Sequence, residues 1–320
     1  MLRFASKFAV LAATTALIAA PGERPPVRAH HALVYHPALE RVLLTGGSTP
    51  LDGGRAFEFY DDVWSFDGSR WEKIGHTGDQ RSGARLVFDS HRGGVLSFGG
   101  FANGMSLGDL LRLDALAWKK LSDEPAMAAA EAGVVYDTSR DRVVAFGGSP
   151  GRGRANGTTW EWDGQVWQAN LATGPEARQA FAMIYDVRRT KTVVFGGMGA
   201  TPQQLFGDTW EFDGKQWTKV ATTGPSPSAR MAPGFAYDAK RGVCVIFGGM
   251  ADGRSLGDTW AWDGREWKLL AESGPAPRAM GYLAYDEARD RIVLFGGRCK
   301  WPNDANDTWE WDGAKWTEIP

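Results

Sequence analysis

The stretch DTWEFDGKQW (208–217) recurs almost unchanged as DTWAWDGREW (258–267) and DTWEWDGAKW (307–316). Two acids around an indole could suggest a metal site, but a phrase that returns at a fixed interval is typical of a structural repeat. A calcium loop of the helix–loop–helix kind would end in a glutamate that these copies lack. We therefore interpret the phrase as part of a repeated architecture.

Two landmarks define the interval. Six apolar runs end in Gly-Gly, each is followed by a tryptophan in register, and both landmarks return at steps of 47 to 53 residues. A period near 50 residues is typical of the four-stranded blades of a β-propeller. The glycine pairs begin at Gly46, Gly99, Gly147, Gly196, Gly248 and Gly296, and the tryptophans are Trp71, Trp118, Trp167, Trp217, Trp267 and Trp316.

Each unit divides into four short β-type runs, named A to D here. In the fourth unit they are FAMIY (181–185), TVVFGG (192–197), TWEFD (209–213) and QWTKV (216–220). Asp-Gly between runs C and D is a strong hairpin signal, because glycine tolerates a positive φ. Helical periodicity is absent, so the sequence predicts an all-β protein.

An apolar strand ending in Gly-Gly, an aromatic strand and a tryptophan after a short turn together resemble the kelch repeat, and the resemblance covers residues 28–318. It implies a six-bladed β-propeller with four antiparallel strands per blade, closed by whole blades without an exchanged strand. Blade 2 departs most, with Leu111 for the first tryptophan and LDALAW (113–118) for the Asp-Gly turn. The expected blades span approximately residues 28–75, 81–122, 129–171, 178–221, 230–271 and 278–320.

An arginine starts strand A in five units, and an aspartate opens strand C in the same five. The third unit has Ala129 and Thr158 in these two places. Because the two residues are lost together, we predict that they form an ion pair within each blade, across strand B. The predicted pairs are Arg28–Asp62, Arg81–Asp109, Arg178–Asp208, Arg230–Asp258 and Arg278–Asp307.

The first 22 residues have the composition of an export signal. Arg3 and Lys7 accompany an apolar run of 13 residues, Phe8 to Ala20, which is too short to span a bilayer comfortably. We therefore predict a signal peptide over residues 1–22 and a propeller over residues 23–320. The mature chain is then expected to be secreted or periplasmic, without a membrane span.

The composition limits the classes of ligand that the chain is expected to bind. The 43% hydrophobic content supports a core, and the net charge of −2 without a basic cluster argues against nucleic-acid binding. The two cysteines, Cys244 and Cys299, lack metal-ligand spacing. Export would permit a disulfide between them, but two free, partly buried thiols are expected.

Strand direction assigns the loops to two faces. Because neighbouring strands are antiparallel, the A–B and C–D turns share one face, and the B–C and D–A loops share the other. The first set repeats the same turn residues, whereas the B–C loops differ in every blade. Binding residues are found on loops that a rigid scaffold holds, so we expect ligand recognition on the B–C/D–A face, called the loop face below.

The blade 6 loop RCKWPNDAN (298–306) is a candidate site on that face. Trp301 is the one tryptophan of 15 outside the repeat pattern, and Arg298 and Lys300 lie beside it. Tryptophan and arginine are frequent binding anchors, so this trio suits a carboxylate, a sugar or a peptide, or it covers the blade edge. The long blade 1 loop (48–61) either contributes Phe57 and its aromatic neighbours to a site or packs down as a lid.

The remaining candidates come from other B–C loops and from the start of strand A near the axis. Glu131 and Arg85 form a structural pair in the reading that we favour, or they polarise a ligand in the channel. The residues in this group are Phe101, Asn103, Arg152, His30, Arg85, Glu131 and Tyr282.

The histidines do not predict a metal site. In HHALVYH (30–36), His30 and His31 point to opposite faces of one strand, and His36 occupies a turn position. We identify no nucleophilic catalytic set and no phosphate-binding glycine loop. No cofactor or metal is therefore expected.

The sequence favours an exported propeller that binds a protein or a glycan through its loop face. The kelch resemblance also implies an alternative, since kelch propellers include copper-dependent galactose oxidases and a periplasmic sialic-acid mutarotase. The histidine and tyrosine ligands of the oxidases cannot be mapped onto this chain. A mutarotase needs only an acid–base pair, for which Glu131 and Arg85 are the channel candidates. A purely structural role in an envelope assembly is a third possibility.

Overall fold

The computed structural model describes residues 23–151 and 154–320, so the predicted signal peptide and Arg152 lie outside the described residues. The described chain contains six four-stranded antiparallel sheets, each with strands in the order A, B, C, D. Strands A of neighbouring blades contact one another all the way round the axis. The prediction of a six-bladed all-β propeller is confirmed.

The strands have the following bounds. Blade 1 contains Ala32–His36, Arg41–Thr45, Asp62–Phe66 and Trp71–His76; blade 2 contains Arg85–Asp89, Gly94–Phe98, Asp109–Asp114 and Ala117–Asp123; blade 3 contains Gly133–Asp137, Arg142–Phe146, Thr159–Trp162 and Trp167–Asn170. Blade 4 contains Ala182–Asp186, Lys191–Phe195, Thr209–Phe212 and Trp217–Val220; blade 5 contains Gly234–Asp238, Val243–Phe247, Thr259–Trp262 and Trp267–Ala271; blade 6 contains Tyr282–Asp286, Arg291–Lys300, Asn303–Trp311 and Trp316–Ile319.

Three smaller hairpins and one helical turn complete the described structure. The hairpins are Ser48–Leu51 with Ala56–Phe59, Phe101–Ala102 with Met105–Ser106, and Met250–Ala251 with Arg254–Ser255. The helical element is the 3-10 turn Pro125–Met127. No helix of the described residues is long and apolar enough to cross a membrane.

Strand B forms the centre of the core in every blade. Its sequences, such as KTVVF in blade 4 and VCVIF in blade 5, are almost uninterrupted apolar runs because neighbouring blades cover both faces. Strand D of the same blades lies at the outer edge, where its first residue, Trp217 or Trp267, is buried and the next two are exposed. The buried clusters therefore lie between adjacent blades, as in the cluster that joins Phe195 to Trp267.

The ring closes through the backbone at the axis. The residue two positions after each arginine position donates its N–H to the carbonyl of its counterpart in the preceding blade, over 2.6 to 3.2 Å. All six of these residues have a left-handed backbone, with φ between 49° and 68°. The last bond, from His30 N to Met280 O, joins blade 1 to blade 6, so whole blades close the ring. The six residues are His30, Gly83, Glu131, Ala180, Ala232 and Met280.

A second backbone contact between neighbouring blades explains why each blade has a glycine pair. The second glycine of each pair donates its N–H, over 2.8 to 3.0 Å, to the carbonyl at the arginine position of the next blade. The first glycine lies against that same carbonyl: a Cβ on Gly196 would stand 2.7 Å from Arg230 O. No side chain fits at this distance, so the pair permits the close approach of two blades.

The tryptophans of strand D link neighbouring blades. Trp217 donates its indole N–H to Thr159 Oγ1 of the preceding blade over 2.9 Å, and Trp267 bonds Thr209 in the same way. Trp71 closes the ring by bonding Thr308 of blade 6 over 2.8 Å. These bonds satisfy the polar group of a large buried ring.

The predicted ion pairs within blades are confirmed. Arg178 donates to both carboxylate oxygens of Asp208, over 2.7 and 3.3 Å, and its Nη1 also donates to Gly196 O over 3.0 Å. The other four blades with both residues have the equivalent pair. Each arginine thus fixes the end of strand B against the start of strand C.

The aspartate of the ion pair has a second partner, which explains why aspartate and tryptophan recur together in the repeated stretch. Trp210 donates its indole N–H to Asp208 over 2.8 Å. In blade 3, where Thr158 replaces the aspartate, the buried Nε1 of Trp160 has no hydrogen-bond partner. At the other end of the phrase, Asp213 accepts bonds from the N–H groups of residues 215 and 216, each over 2.9 Å, and so forms the C–D turn.

The indole bond can be tested with a matched pair of substitutions. Trp210→Phe removes an N–H that donates to a carboxylate, whereas Trp160→Phe removes an N–H without a partner. We expect Trp210→Phe to lower the free energy of unfolding by about 1–2 kcal/mol more than Trp160→Phe does. Urea unfolding of the two variants measures the difference, and equal losses would contradict the assignment.

The close approach at the glycine pair can be tested with Gly196→Ala. Gly253→Ala is the control, because Gly253 has φ of +73°, close to the +72° of Gly196, but has nothing within 4 Å of a built Cβ. Both variants bear the left-handed backbone cost of about 1–2 kcal/mol. We expect Gly196→Ala to lose about 1–3 kcal/mol more in chemical unfolding, from overpacking against Arg230 O. A difference near zero would show that the blades separate easily at this point.

Candidate functional site

The loop face carries hairpins on blades 6, 1, 2 and 5, of which the blade 5 hairpin is Met250–Ala251 with Arg254–Ser255. In blade 6, strands B and C continue past the sheet as far as Lys300 and Asn303. In blade 1 the long loop forms the hairpin Ser48–Leu51 with Ala56–Phe59, and blade 2 carries the short hairpin that begins at Phe101. These blades therefore present ordered β-structure to solvent, which the sequence pattern had not predicted for the blade 1 loop.

At the axis, four of the predicted site residues form one cluster around the Glu131 carboxylate. His30 Nδ1 lies 2.5 Å from Glu131 Oε1, Arg85 Nη2 donates to Oε2 over 2.9 Å, and Tyr282 donates its hydroxyl to Oε2 over 3.0 Å. The four residues come from blades 1, 2, 3 and 6. The Glu131–Arg85 pair expected from the sequence is present, and it belongs to a larger network.

The backbone ring positions this cluster. His30 and Glu131 both occupy the left-handed ring position of their blades, with φ of 56°. Gly83 holds the same position in blade 2, where an added Cβ would lie 2.8 Å from Glu131 Oε1. Glycine at this place therefore leaves the space across which the Glu131 side chain reaches its partners in other blades.

The cluster keeps Glu131 ionised. Burial alone would raise the pKa of this carboxyl, but the charge of Arg85 and the contacts with His30 and Tyr282 outweigh burial and lower it from 4.5 to about 2. Burial raises the pKa of Tyr282, so its hydroxyl stays protonated as a donor. The ion pair is nearly buried, with side-chain exposures of 7% for Arg85 and 13% for Glu131.

Arg85 retains unused hydrogen-bonding capacity. Its Nε and Nη1 are buried without a partner among the described residues, while its guanidinium lies 4.3 Å above the Tyr282 ring and 5.8 Å from the Phe235 ring. A fully buried donor without an acceptor is costly. An acceptor at the axis, such as water or a ligand oxygen, would satisfy it.

The opposite side of the axis is apolar, a feature that the sequence analysis did not identify. Met231, Met250 and Met280 pack over a cluster of alanines from blades 4 to 6. Met231 and Met250 also exchange backbone hydrogen bonds, over 3.0 and 2.8 Å. The signal was available in the sequence as methionines beside the arginine and Gly-Gly landmarks of these blades.

The blade 6 candidates adopt a defined arrangement. Arg298 donates to both oxygens of Asp304, over 2.8 and 3.3 Å, and its guanidinium lies 4.8 Å from the Trp301 ring centre. Trp301 is 52% exposed and its ring centre is 6.2 Å from that of Phe57 in blade 1. Lys300 is exposed beside it. Arg298 thus supports Trp301, and most of its donors are already engaged.

Phe101 and Asn103 lie apart from both groups, on the blade 2 hairpin. Phe101 is 37% exposed, and Asn103 has a left-handed φ of 51° at the hairpin turn. The ten candidate residues therefore divide into an axial cluster, a blade 6 group and a blade 2 hairpin, with Arg152 outside the described residues.

His31, His36 and the two cysteines lie in different parts of the propeller. His31 is buried, with its ring 5.6 Å from that of Tyr282 and edge-on to it, whereas His36 lies 5.1 Å from Phe88 near the opposite face. Cys244 is buried, Cys299 is partly buried, and both are free thiols, as expected. Within residues 23–151 and 154–320, no three His, Cys, Asp or Glu side chains are grouped to hold a metal ion.

The ionised state of Glu131 predicts a pH dependence. Because its pKa is lower in the folded protein than the ordinary 4.5, its stabilising effect is complete above about 4.5 and is lost as the pH falls toward about 2. Glu131→Gln should therefore lower the free energy of unfolding by about 2–3 kcal/mol at pH 5, and by progressively less below that. Unfolding between pH 5 and pH 2, below the usual range of histidine titration, measures the loss. A pH-independent difference would contradict the charge assignment.

Comparison with known proteins agrees with this fold. No curated protein matches the sequence. The solved structure titled "Structure of YjhT" superposes with a TM-score of 0.68 at 16% identity, over 93% of this chain and 99% of that one. The sequence profile of the KLHDC2/KLHL20/DRC7 Kelch-repeats domain matches residues 53–235 and, shifted along the repeats, residues 138–320. The chain belongs to the kelch-repeat family.

Proposed function

We propose that this kelch propeller is exported and acts as a binding module, which holds a protein or a glycan on its loop face. The N-terminal segment of residues 1–22 supports export by its charge and apolar run. The loop face has more exposed apolar side chains than the opposite face, which supports ligand binding on the loop face.

The distribution of exposed apolar side chains carries the proposal. Seven of the ten large hydrophobic side chains exposed among the described residues lie on the loop face, and six of these seven belong to blades 6, 1 and 2. Exposed apolar side chains that cluster on one part of a surface mark interaction sites. The six are Val27, Leu51, Phe57, Phe101, Met105 and Trp301.

The opposite face is committed to the scaffold. There the arginine of five of the six A–B turns packs on the C–D glycine of the next blade, as Arg140 does on Gly214, and it bonds the aspartate of its own turn. The same arrangement recurs at Gly164, where Arg92 takes the place of Arg140. A face whose charged side chains are used repeatedly between blades leaves little for selective recognition.

The axial cluster favours a second candidate, an enzyme of the sugar-mutarotase type. Such a reaction needs a proton donor and a proton acceptor close together, and Glu131 lies within hydrogen-bond distance of His30, Arg85 and Tyr282. A carboxylate with a pKa of about 2 is a weak base. For this reason we propose binding as the first function and catalysis as the second.

One experiment separates these functions. A glycan array and a displayed peptide library are screened, and hydrogen exchange is then measured with the tightest binder. We expect protection in residues 48–59, 101–106 or 298–304. The double variant Val166→Asp with Val187→Asp, at exposed positions on the face of the A–B and C–D turns, should retain binding.

Two outcomes would argue against the binding proposal. Protection confined to the A–B and C–D turns, or a complete lack of binders, would contradict it. Faster interconversion of sugar anomers, observed by NMR exchange and lost in Glu131→Gln, would instead support the enzyme.

A further inference from the structure

We infer that Trp301 and Phe57 together form a platform on which one sugar ring of a glycan stacks. The inference rests on the proposed function, and it chooses between the two ligand classes named there. The platform, defined as these two rings, spans the junction between blade 6 and blade 1.

Trp301 is held in place on three sides although it is half exposed. The Arg298 guanidinium lies 4.8 Å from its ring centre, and the Phe57 ring centre lies 6.2 Å away at a tilt of 49°. The edge of the indole packs so closely on Gly54 that a Cβ there would collide with it. Contacts with the blade 1 hairpin thus fix the ring before any ligand binds.

Arg298 is itself fixed, so the support is rigid. The Asp304 carboxylate that holds it is fully buried, and only 12% of the Arg298 side chain is exposed. The guanidinium also lies over Met280, with Nη1 at 3.9 Å from the sulfur. A preorganised aromatic ring loses little conformational freedom on binding, which favours recognition of a small ligand.

The apolar area suits a sugar ring better than a protein surface. Because aromatic side chains bury about 150–250 Å² each, exposures of 52% for Trp301 and 43% for Phe57 leave roughly 200 Å² accessible. A standard protein interface buries about 800 Å² on each partner. Leu51 does not extend this area, because it pairs with Ala56, and neighbouring residues of a strand point to opposite faces.

The edge of the platform is polar, as a sugar requires. Lys300 and Asn303 pair at the end of the blade 6 hairpin and are both exposed. Arg55 is exposed on the blade 1 hairpin, two residues before Phe57. A pyranose combines an apolar C–H face with hydroxyls around its edge, so its face can stack on the indole while its hydroxyls meet these donors and acceptors.

The test uses residues 23–320, the part of the chain that forms the propeller, and a panel of defined saccharides. Methyl glycosides of glucose, galactose, mannose and N-acetylglucosamine, with their short oligomers, are titrated by saturation-transfer NMR and calorimetry. We expect Trp301→Ala and Phe57→Ala to weaken binding at least tenfold. Trp301→Phe should restore part of it, since an aromatic face remains.

Val166→Ala is the matched control, because Val166 is an apolar side chain with nearly the same exposure as Trp301, 53% against 52%, and lies in a C–D turn on the opposite face. It should bind the saccharide as the unaltered protein does, and thermal unfolding should show that all four variants are folded at the temperature of the titrations. Saccharide binding that survives Trp301→Ala would overturn the inference while leaving glycan binding by the loop face intact. Failure of every saccharide to bind, or loss of a defined peptide ligand in Trp301→Ala, would also overturn it, and the peptide result would support a protein partner.

Discussion

The fold depends on a contact between backbones, the approach of each glycine pair to the carbonyl of the next blade. The N–H of the second glycine and the missing Cβ of the first act on the same oxygen, as Gly197 and Gly196 do at Arg230. Because the contact is made without side chains, it sets the same separation at every junction. The axial ring of hydrogen bonds then has the same geometry in six blades whose side chains differ widely.

The junction between blades 1 and 2 shows how much variation this contact tolerates. Val63 stands where blades 3 to 6 have threonine, so strand C of blade 1 offers no hydroxyl to Trp118. The C–D turn of blade 2 contains Ala115 and Leu116, both left-handed, in place of Asp-Gly. A small cavity lies between the two blades beside Trp118. The backbone bond from Gly47 N to the next blade, at 2.9 Å, is nevertheless kept.

The sequence was sufficient for features that repeat and insufficient for features that occur once. Blade number, strand order and the Arg178–Asp208 type of pair followed from positions that recur in register. The axial cluster could be predicted only in part, because the partners of Glu131 lie 101 residues away at His30 and 151 away at Tyr282, and their meeting depends on how the ring is rotated. Likewise, no local pattern shows that Trp301 rests on Gly54.

The strained backbone at the axis is a consequence of ring closure and does not by itself indicate a functional site. Residues other than glycine in the left-handed region cost about 1–2 kcal/mol, and such strain often marks functional sites. Here Ala180 and Ala232 adopt the same conformation as His30 and Glu131, although alanine has no functional group to present. Ring closure therefore accounts for the strain at all of these positions. What distinguishes Glu131 is its contacts: its carboxylate joins blades 1, 2 and 6 to blade 3, and a ligand that engaged it would act on the same residues that close the ring.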